Sequence, residues 1–320
     1  MKQASQAHHP AKSQPNSCII ESSYHIPVLL EQSIDLLNLK PDGIYVDVTF
    51  GGGGHSRELL KRLQGGRLIA FDRDPDAKAN LPEDDRITFI PEDFQFIETM
   101  LPAYGVDKVD GILADLGVSS HQFDTAERGF SFRFEGPLDM RMNPNQSTSA
   151  ATLINEADPE LLLSIFRQFG EVPNAKKVVR LITEQREGGR IQTTGHFETV
   201  IRSCIPAHRR SKYLAQVFQA LRIAVNKEME SLTALLNASL KLLNPEGRLV
   251  IIAYHSLEDR LVKRFMKTGN LNGELVKDFY GKPITPWNQI TRKAIQPSEA
   301  EIEMNPRARS ARLRAAEKRE

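Results

Sequence analysis

Carboxylates and glycines recur along this chain at spacings that suit ligand chemistry. The stretch Ile44 to Ser56, IYVDVTFGGGGHS, holds Asp47, Thr49, four consecutive glycines and His55. Apolar residues ahead of the glycines predict a strand, and Glu58–Leu63 behind them begins a helical pattern. A strand that turns through glycines into a helix brings backbone N–H groups close to a ligand, with the helix N-terminus behind them. A Cβ in such a turn would block the approach or forbid positive φ. A second apolar run, Arg67–Phe71, ends in Asp72, eighteen residues after Gly54. Rossmann-like folds place a carboxylate there on ribose hydroxyls. The alternative, a glycine turn that binds nothing, explains the loop but not Asp72.

The spacing also discriminates between nucleotides. The dinucleotide fingerprint G-x-G-x-x-G fails, because its last position is Ser56 counted from Gly51 and Arg57 counted from Gly52. Asp47-x-Thr49-x-Gly51-x-Gly53 fits an acidic residue followed by alternating glycines, with Thr49 in place of the first glycine. That is the pattern of class I S-adenosylmethionine (SAM) methyltransferases. SAM has no pyrophosphate, so the third glycine of the dinucleotide loop matters less. The stretch favours SAM over NAD.

Elements that would position these residues follow a β-α-β rhythm. Arg86–Ile90 predicts a third strand, followed by Asp93-Phe94, and Val109–Leu113 a fourth, ending in Asp115. The next convincing strand is Arg248–Ala253, so a structureless connection is excluded and an inserted unit is expected. Its composition is helical: Asp158-Pro159 starts one helix, Asn174 another ending near Gly188-Gly189, and Thr194 to Cys204 a third. Lys212 to Leu243 predicts a longer helical stretch with a bend. The expected architecture is an α/β parallel sheet of the class I methyltransferase kind. The expected division is a leader over 1-22, a discontinuous SAM-binding domain over 23-125 and 218-320, and an inserted helical substrate-recognition domain over 126-217. In an open α/β sheet the ligand lies beyond the carboxyl ends of the strands. Asp47–Gly54, Asp72, Asp93-Phe94, Asp115–Gln122 and Tyr254-His255-Ser256 should therefore converge. Phe94 is read as flanking an adenine ring, with Asp93 accepting from its amino group; a core aromatic is the alternative. For Asp115 the alternative is a helix cap.

Composition bounds the function class. The chain has 320 residues, 40% hydrophobic and 26% charged, with a net charge of +1. It reads as an ordinary globular protein. No apolar run approaches the roughly 18 residues needed to span a bilayer. The polar N-terminus, MKQASQAHHPAKSQPNS, suggests a disordered leader rather than a signal peptide. Two cysteines, Cys18 and Cys204, provide no disulfide framework or metal site, which suits a reducing cytoplasm. Charge is segregated. Asp72 to Asp115 carries twelve acidic and four basic residues, whereas Arg167 to Lys212 carries ten basic and four acidic. Asn305 to the end carries six basic and two acidic. Local basic surfaces on a near-neutral protein point to a polyanion held on one side, the alternative being solvated helix faces.

TFGGGGHS, FDRDP, LADLGVSSHQFDTAERGFSFRFEGPLDMRM, FQALRIAVNKEM, AYHSLEDRLVKRFM and NPRARSARLR occur in this order. Together they resemble the bacterial 16S rRNA (cytosine N4)-methyltransferase family known as RsmH or MraW, from about Tyr24 to the C-terminus. The resemblance implies a class I methyltransferase fold with an inserted helical domain, SAM as donor, and a cytidine of the small-subunit decoding centre as acceptor. It implies SAM contacts at Gly53, Gly54 and His55, at Asp72 on the ribose, at Phe94 beside the adenine, and at Asp115 and Gln122. The chain departs from the family where His121 replaces a common proline and where Lys212 to Val217 replaces a proline-threonine-arginine lead-in. Nucleic-acid contacts are not carried over there.

Methyl transfer to a cytosine amine is an in-line displacement, and that amine is a poor nucleophile because its lone pair is delocalised. Acceptors for its N–H groups would orient it, which is proximity and electrostatic catalysis. Asp115 or neighbouring carbonyls are the expected orienting groups, with His255 as a second candidate. A flipped base would gain from an aromatic platform, for which Phe130, Phe132 and Phe134 are candidates; core packing is their alternative. Lys176, Lys177, Arg180, Arg209 and Arg210 in the insert, and Arg307, Arg309, Arg312 and Arg314 in the tail, are expected on phosphates. No metal is expected. The expected enzyme is cytoplasmic, bound to 16S rRNA or the small ribosomal subunit, not membrane-bound, and a monomer or homodimer. The rivals are a methyltransferase of another acceptor, a NAD-linked oxidoreductase, and a non-catalytic RNA-binding assembly factor.

Overall fold

The computed structural model describes residues 27–320; the expected leader over 1-22 lies outside the described residues. In chain order, α1 (Leu30–Leu37), β1 (Ile44–Asp47), α2 (Gly54–Arg62), β2 (Arg67–Phe71), β3 (Ile87–Ile90), α3 (Ile97–Ala103) and β4 (Val109–Asp115) build half of an α/β sheet. After α4 (Ser120–Asp124) come α5 (Ala150–Glu156), α6 (Pro159–Gln168), α7 (Ala175–Gly188) and α8 (Thr194–Ile201). Then α9 (Arg210–Asn226) and α10 (Glu228–Leu242) lead back to β5 (Leu243–Ala253) and α11 (Ser256–Thr268). The chain ends with β6 (Trp287–Gln289), α12 (Glu299–Met304) and β7 (Arg312–Lys318).

The sheet order is β3-β2-β1-β4-β5-β7-β6. Strands β1 to β5 pair in parallel, and β7 runs antiparallel between β5 and β6. This is the class I methyltransferase sheet that the resemblance implied. Its strands are apolar on both faces because helices cover both. Val46, Ile112 and Leu249 face a core shared with α3, α10 and α11, while Tyr45, Leu113 and Val250 face α1 and α2. The period-2 alternation of each strand thus feeds two separate layers.

The long connection between β4 and β5 has its own core. It is built from Phe130, Leu138, Met140 and residues of α5 to α9, through Val225, so all of α9 belongs to it. The bend expected between Lys212 and Leu243 falls at Lys227, whose φ of 50° lies in the left-handed region. The buried Asn226 side chain holds it there, donating to the Met140 and Arg222 carbonyls and accepting from the Met142 N–H.

One expectation is corrected here. The C-terminal arginines were expected to face phosphates, but Arg312 and Arg314 lie within β7, a strand inside the sheet. Arg314 is 6% exposed and its guanidinium clasps Asp259 of α11 at 2.7 and 3.2 Å. The basic composition masked a strand whose Leu313, Ala315 and Ala316 are fully buried. Arg307 and Arg309, before β7, remain exposed.

Candidate active site

At the carboxyl end of β1, Asp47 is buried and acts as the internal brace of the glycine turn. Its carboxylate accepts from the Thr49 N–H at 3.1 Å and from the Ser56 hydroxyl at 2.7 Å. Burial raises its pKa, and the Ser56 hydrogen bond opposes the rise. Across the turn, Asp72 accepts from the Gly51 N–H at 2.7 Å and the Asp74 N–H at 2.8 Å. Burial is the main cause of its pKa rising to about 6. Gly51 has φ of 50°, and a Cβ there would meet nothing closer than 3.9 Å. A small group can therefore approach the backbone at Gly51 without meeting a side chain. Gly53 caps α2 in the left-handed region, and a Cβ on Gly54 would lie 2.1 Å from the Pro27 ring. Gly54 is thus a packing necessity against the chain that precedes α1, and the free amides of the first turn of α2 supply the anion-favouring end.

Asp115 ends β4 beside this loop. Its N–H donates to the Thr49 hydroxyl at 2.6 Å, and its Oδ1 accepts from the Tyr254 hydroxyl at 2.8 Å. Its Oδ2 lies 3.8 Å from His55 Nδ1, and the side chain keeps 24% of its surface exposed. Burial raises its pKa to about 6, with His55 and Tyr254 opposing. His55 is buried; its Nε2 lies 3.2 Å from the Val28 carbonyl, and burial lowers its pKa. Asp115 and His55 thus meet beside the glycine loop, which Thr49 ties to Asp115 and Gly51 ties to Asp72.

The remaining expected residues divide. Phe94 follows Asp93 at the end of β3 and is half-buried against the sheet core. Asp93 is already engaged by protein donors. Arg73 holds its Oδ2 at 2.6 Å, and its Oδ1 accepts from the Gln95 N–H at 2.9 Å. Gln122 lies buried between two partners, accepting from the Ser119 N–H at 3.1 Å and donating to Asp74 at 2.6 Å. Arg128 meets the same Asp74 carboxylate at 3.0 Å, so the segment after β4 is tied to the loop after β2.

His255 is corrected as a catalytic candidate. Its Nδ1 accepts from the Glu258 N–H at the first turn of α11, and its Nε2 lies 3.1 Å from Glu258 Oε1. The preceding residue, Tyr254, is the side chain that reaches Asp115. Tyr254 directly follows β5, within the Tyr254-His255-Ser256 strand end that the sequence already marks. Glu228, His255 and Glu258 bring ligand atoms within 4.8 Å of one another. Both oxygens of Glu228 are held by Arg222 at 2.8 and 2.9 Å, and Glu258 accepts from the Tyr254 N–H. The cluster is knit by protein donors.

The aromatic run also divides. Phe130 is buried and Phe132 packs edge-on against Phe218, whereas Phe134 is 44% exposed. Lys176, Lys177 and Arg180 are exposed on α7, with Arg209 and Arg210 at the start of α9. Asn174 joins these two corners, accepting from the Tyr213 hydroxyl at 2.6 Å and donating to the Cys204 carbonyl at 3.1 Å. Arg210 is partly neutralised by Glu198 at 2.7 Å. Arg307 pairs with Asp124 and lies 5.0 Å over the Phe123 ring, next to the segment after β4. Among the described residues, no helix is long and apolar enough to cross a membrane.

A family model described as the MraW methylase family matches residues 22–319. The ribosomal RNA small subunit methyltransferase H of Bacteroides fragilis is 52% identical over 300 residues, covering 93% of this chain and 99% of that protein. The protein of the same name from Flavobacterium johnsoniae is 52% identical over 296 residues, covering 92% and 98%. Likeness to solved structures is distant. An rRNA methylase from Streptococcus thermophilus is 12% identical, covering 92% of this chain and 99% of that one, with a TM-score of 0.39.

Proposed function

The chain belongs to the MraW methylase family, and we propose that it methylates N4 of a cytidine in the decoding region of 16S rRNA, within the small ribosomal subunit, using SAM. The observation that carries this reading is Asp115, a partly exposed carboxylate fixed beside the Asp72 and glycine-loop crevice. The names of the relatives support rRNA as the acceptor.

SAM supplies an electrophilic methyl on a sulfonium. The open space over Gly51 and the Asp72 carboxylate fit its ribose, whose hydroxyls Asp72 would accept. Phe94 would flank the adenine, and the loop through Gly53, Gly54 and His55 would border the rest. Gln122 would act through Asp74, which it holds. Asp115 accepts an N–H of the cytosine amine, holding the nitrogen in line and favouring a more pyramidal geometry. Carboxylate charge matters here, so Asp115 works in its ionised form. The helical unit drawn at 126-217, with α9 complete, would hold the RNA. Lys176, Lys177, Arg180, Arg209 and Arg210 would sit on phosphates, with Arg307 and Arg309 nearer the crevice. Phe134 remains the aromatic available to a splayed base. Such an enzyme would work in the cytoplasm.

The test is transfer of labelled methyl from SAM to small ribosomal subunits from a strain lacking this gene. Label in 16S rRNA is expected. Label in protein, or none despite SAM binding, would overturn the acceptor.

A further inference from the structure

A gap separates two acceptors beside the glycine loop, one on buried His55 and one on partly exposed Asp115. The Val28 carbonyl can only accept, so His55 Nε2, 3.2 Å away, carries the ring proton. In the neutral ring Nδ1 is then bare, and it faces Asp115 Oδ2 across 3.8 Å. Two lone pairs oppose each other at a separation too long for a hydrogen bond. One added proton would let the pair close to about 2.8 Å as a charge-assisted bond. It would also cancel the net negative charge that two such groups otherwise bury.

The surroundings leave this slot to the pair. On β1, Asp47 already accepts from Ser56 and Thr49. After β5, Tyr254 donates to Oδ1 and leaves Oδ2 to His55. On α11, Glu258 is engaged with His255 and the Tyr254 N–H. On α12, Glu301 accepts from the Leu29 N–H.

We propose that Asp115 and His55 form a one-proton site, in which His55 takes over the proton that the cytosine amine sheds. This rests on the methyl-transfer reading above. Attack by N4 on the methyl carbon forms the N–C bond and breaks the C–S bond, whose electron pair stays on sulfur. N4 is left with one proton in excess. Asp115 accepts that proton and passes it to His55 Nδ1, giving an imidazolium beside a carboxylate. The exposed edge of Asp115 returns it to solvent once the methylated base has left.

The test has two arms on the full-length protein. In the first, 15N-histidine NMR reads the tautomer and titration of His55. A neutral ring protonated at Nε2 is expected. Asp115→Asn removes the anion, so His55 should then take its proton at a pH lower by about one unit or more. A ring protonated at Nδ1, or a titration unmoved by Asp115→Asn, overturns the site. In the second arm, His55→Gln keeps an N–H for Val28 but cannot take a proton. At saturating SAM, with the affinity read by calorimetry, kcat should fall about tenfold or more. An unchanged kcat overturns the relay. If wild type puts no methyl on cytosine N4, the functional reading fails, and the NMR arm still decides the proton site.

Discussion

Asp115 is held at two points, where Thr49 takes its N–H and Tyr254 donates to one oxygen, and His55 faces the other oxygen across 3.8 Å. Tyr254 is therefore a positioning residue, acting through the carboxylate. Tyr254→Phe is expected to lower kcat about tenfold or more, with SAM affinity unchanged, since the lost donor orients only the amine acceptor. Loss of SAM affinity instead would place Tyr254 on the cofactor. Asp72 gives a second prediction. Its pKa of about 6 in the free protein reflects burial. Ribose hydroxyls that donate to the carboxylate favour its charged form, so SAM binding near pH 6 should release protons. Calorimetry in buffers of different ionisation enthalpy measures this, and proton uptake would contradict the assignment. Asp72 and Asp115 were legible in the sequence because each ends an apolar run. Which oxygen meets which donor was not, because Asp47, Thr49 and Tyr254 meet only through the sheet register. For the same reason the sequence did not show that Arg73 holds Asp93.

At the level of elements, the parallel strands were readable from apolar runs and turn residues, and β6 and β7 were not. β6 is three residues long, and β7 hides its buried leucine and alanines among arginines. Arg314 shows how such a residue fits inside: its charge is met by Asp259 and its strand by β5. The hinge between α9 and α10 depends on Asn226, whose amide serves both the helix and the 140–142 segment. Asn226→Ala would strand the buried Met142 N–H and the Met140 carbonyl, each worth about 1–3 kcal/mol. The expected cost is about 2–4 kcal/mol, read as a lower denaturant midpoint with unchanged slope. An unchanged midpoint would show that the hinge is held by packing alone.

Across the whole molecule, the charge segregation seen in sequence maps onto different units. The acidic stretch lies in the sheet domain, from the end of β2 to the end of β4, and the basic residues of α7 and the start of α9 share one corner of the helical unit. RNA binding should therefore weaken steeply with salt. Replacing Lys176, Lys177 and Arg180 together by alanine should lessen the slope of log K against log salt by about 2–3, since each phosphate contact contributes about 0.7–0.9. An unchanged slope would move the RNA to another face. That a helical unit was inserted could be read from the distance between strands, whereas the straps joining it to the crevice could not. Those straps, Arg128 to Asp74 and Arg73 to the Asn226 carbonyl, bring together residues far apart in sequence.

In the proposed reaction Asp115 presents its charge to the cytosine amine. The most direct measurement is nucleoside mass spectrometry of 16S rRNA from small subunits, taken from a strain lacking this gene and incubated with SAM and either the wild-type protein or Asp115→Asn. N4-methylcytidine at one position is expected with wild type, and at least about a hundredfold less with the variant at saturating SAM. A methyl group on another atom, or equal N4 methylation by Asp115→Asn, would contradict the proposed reaction.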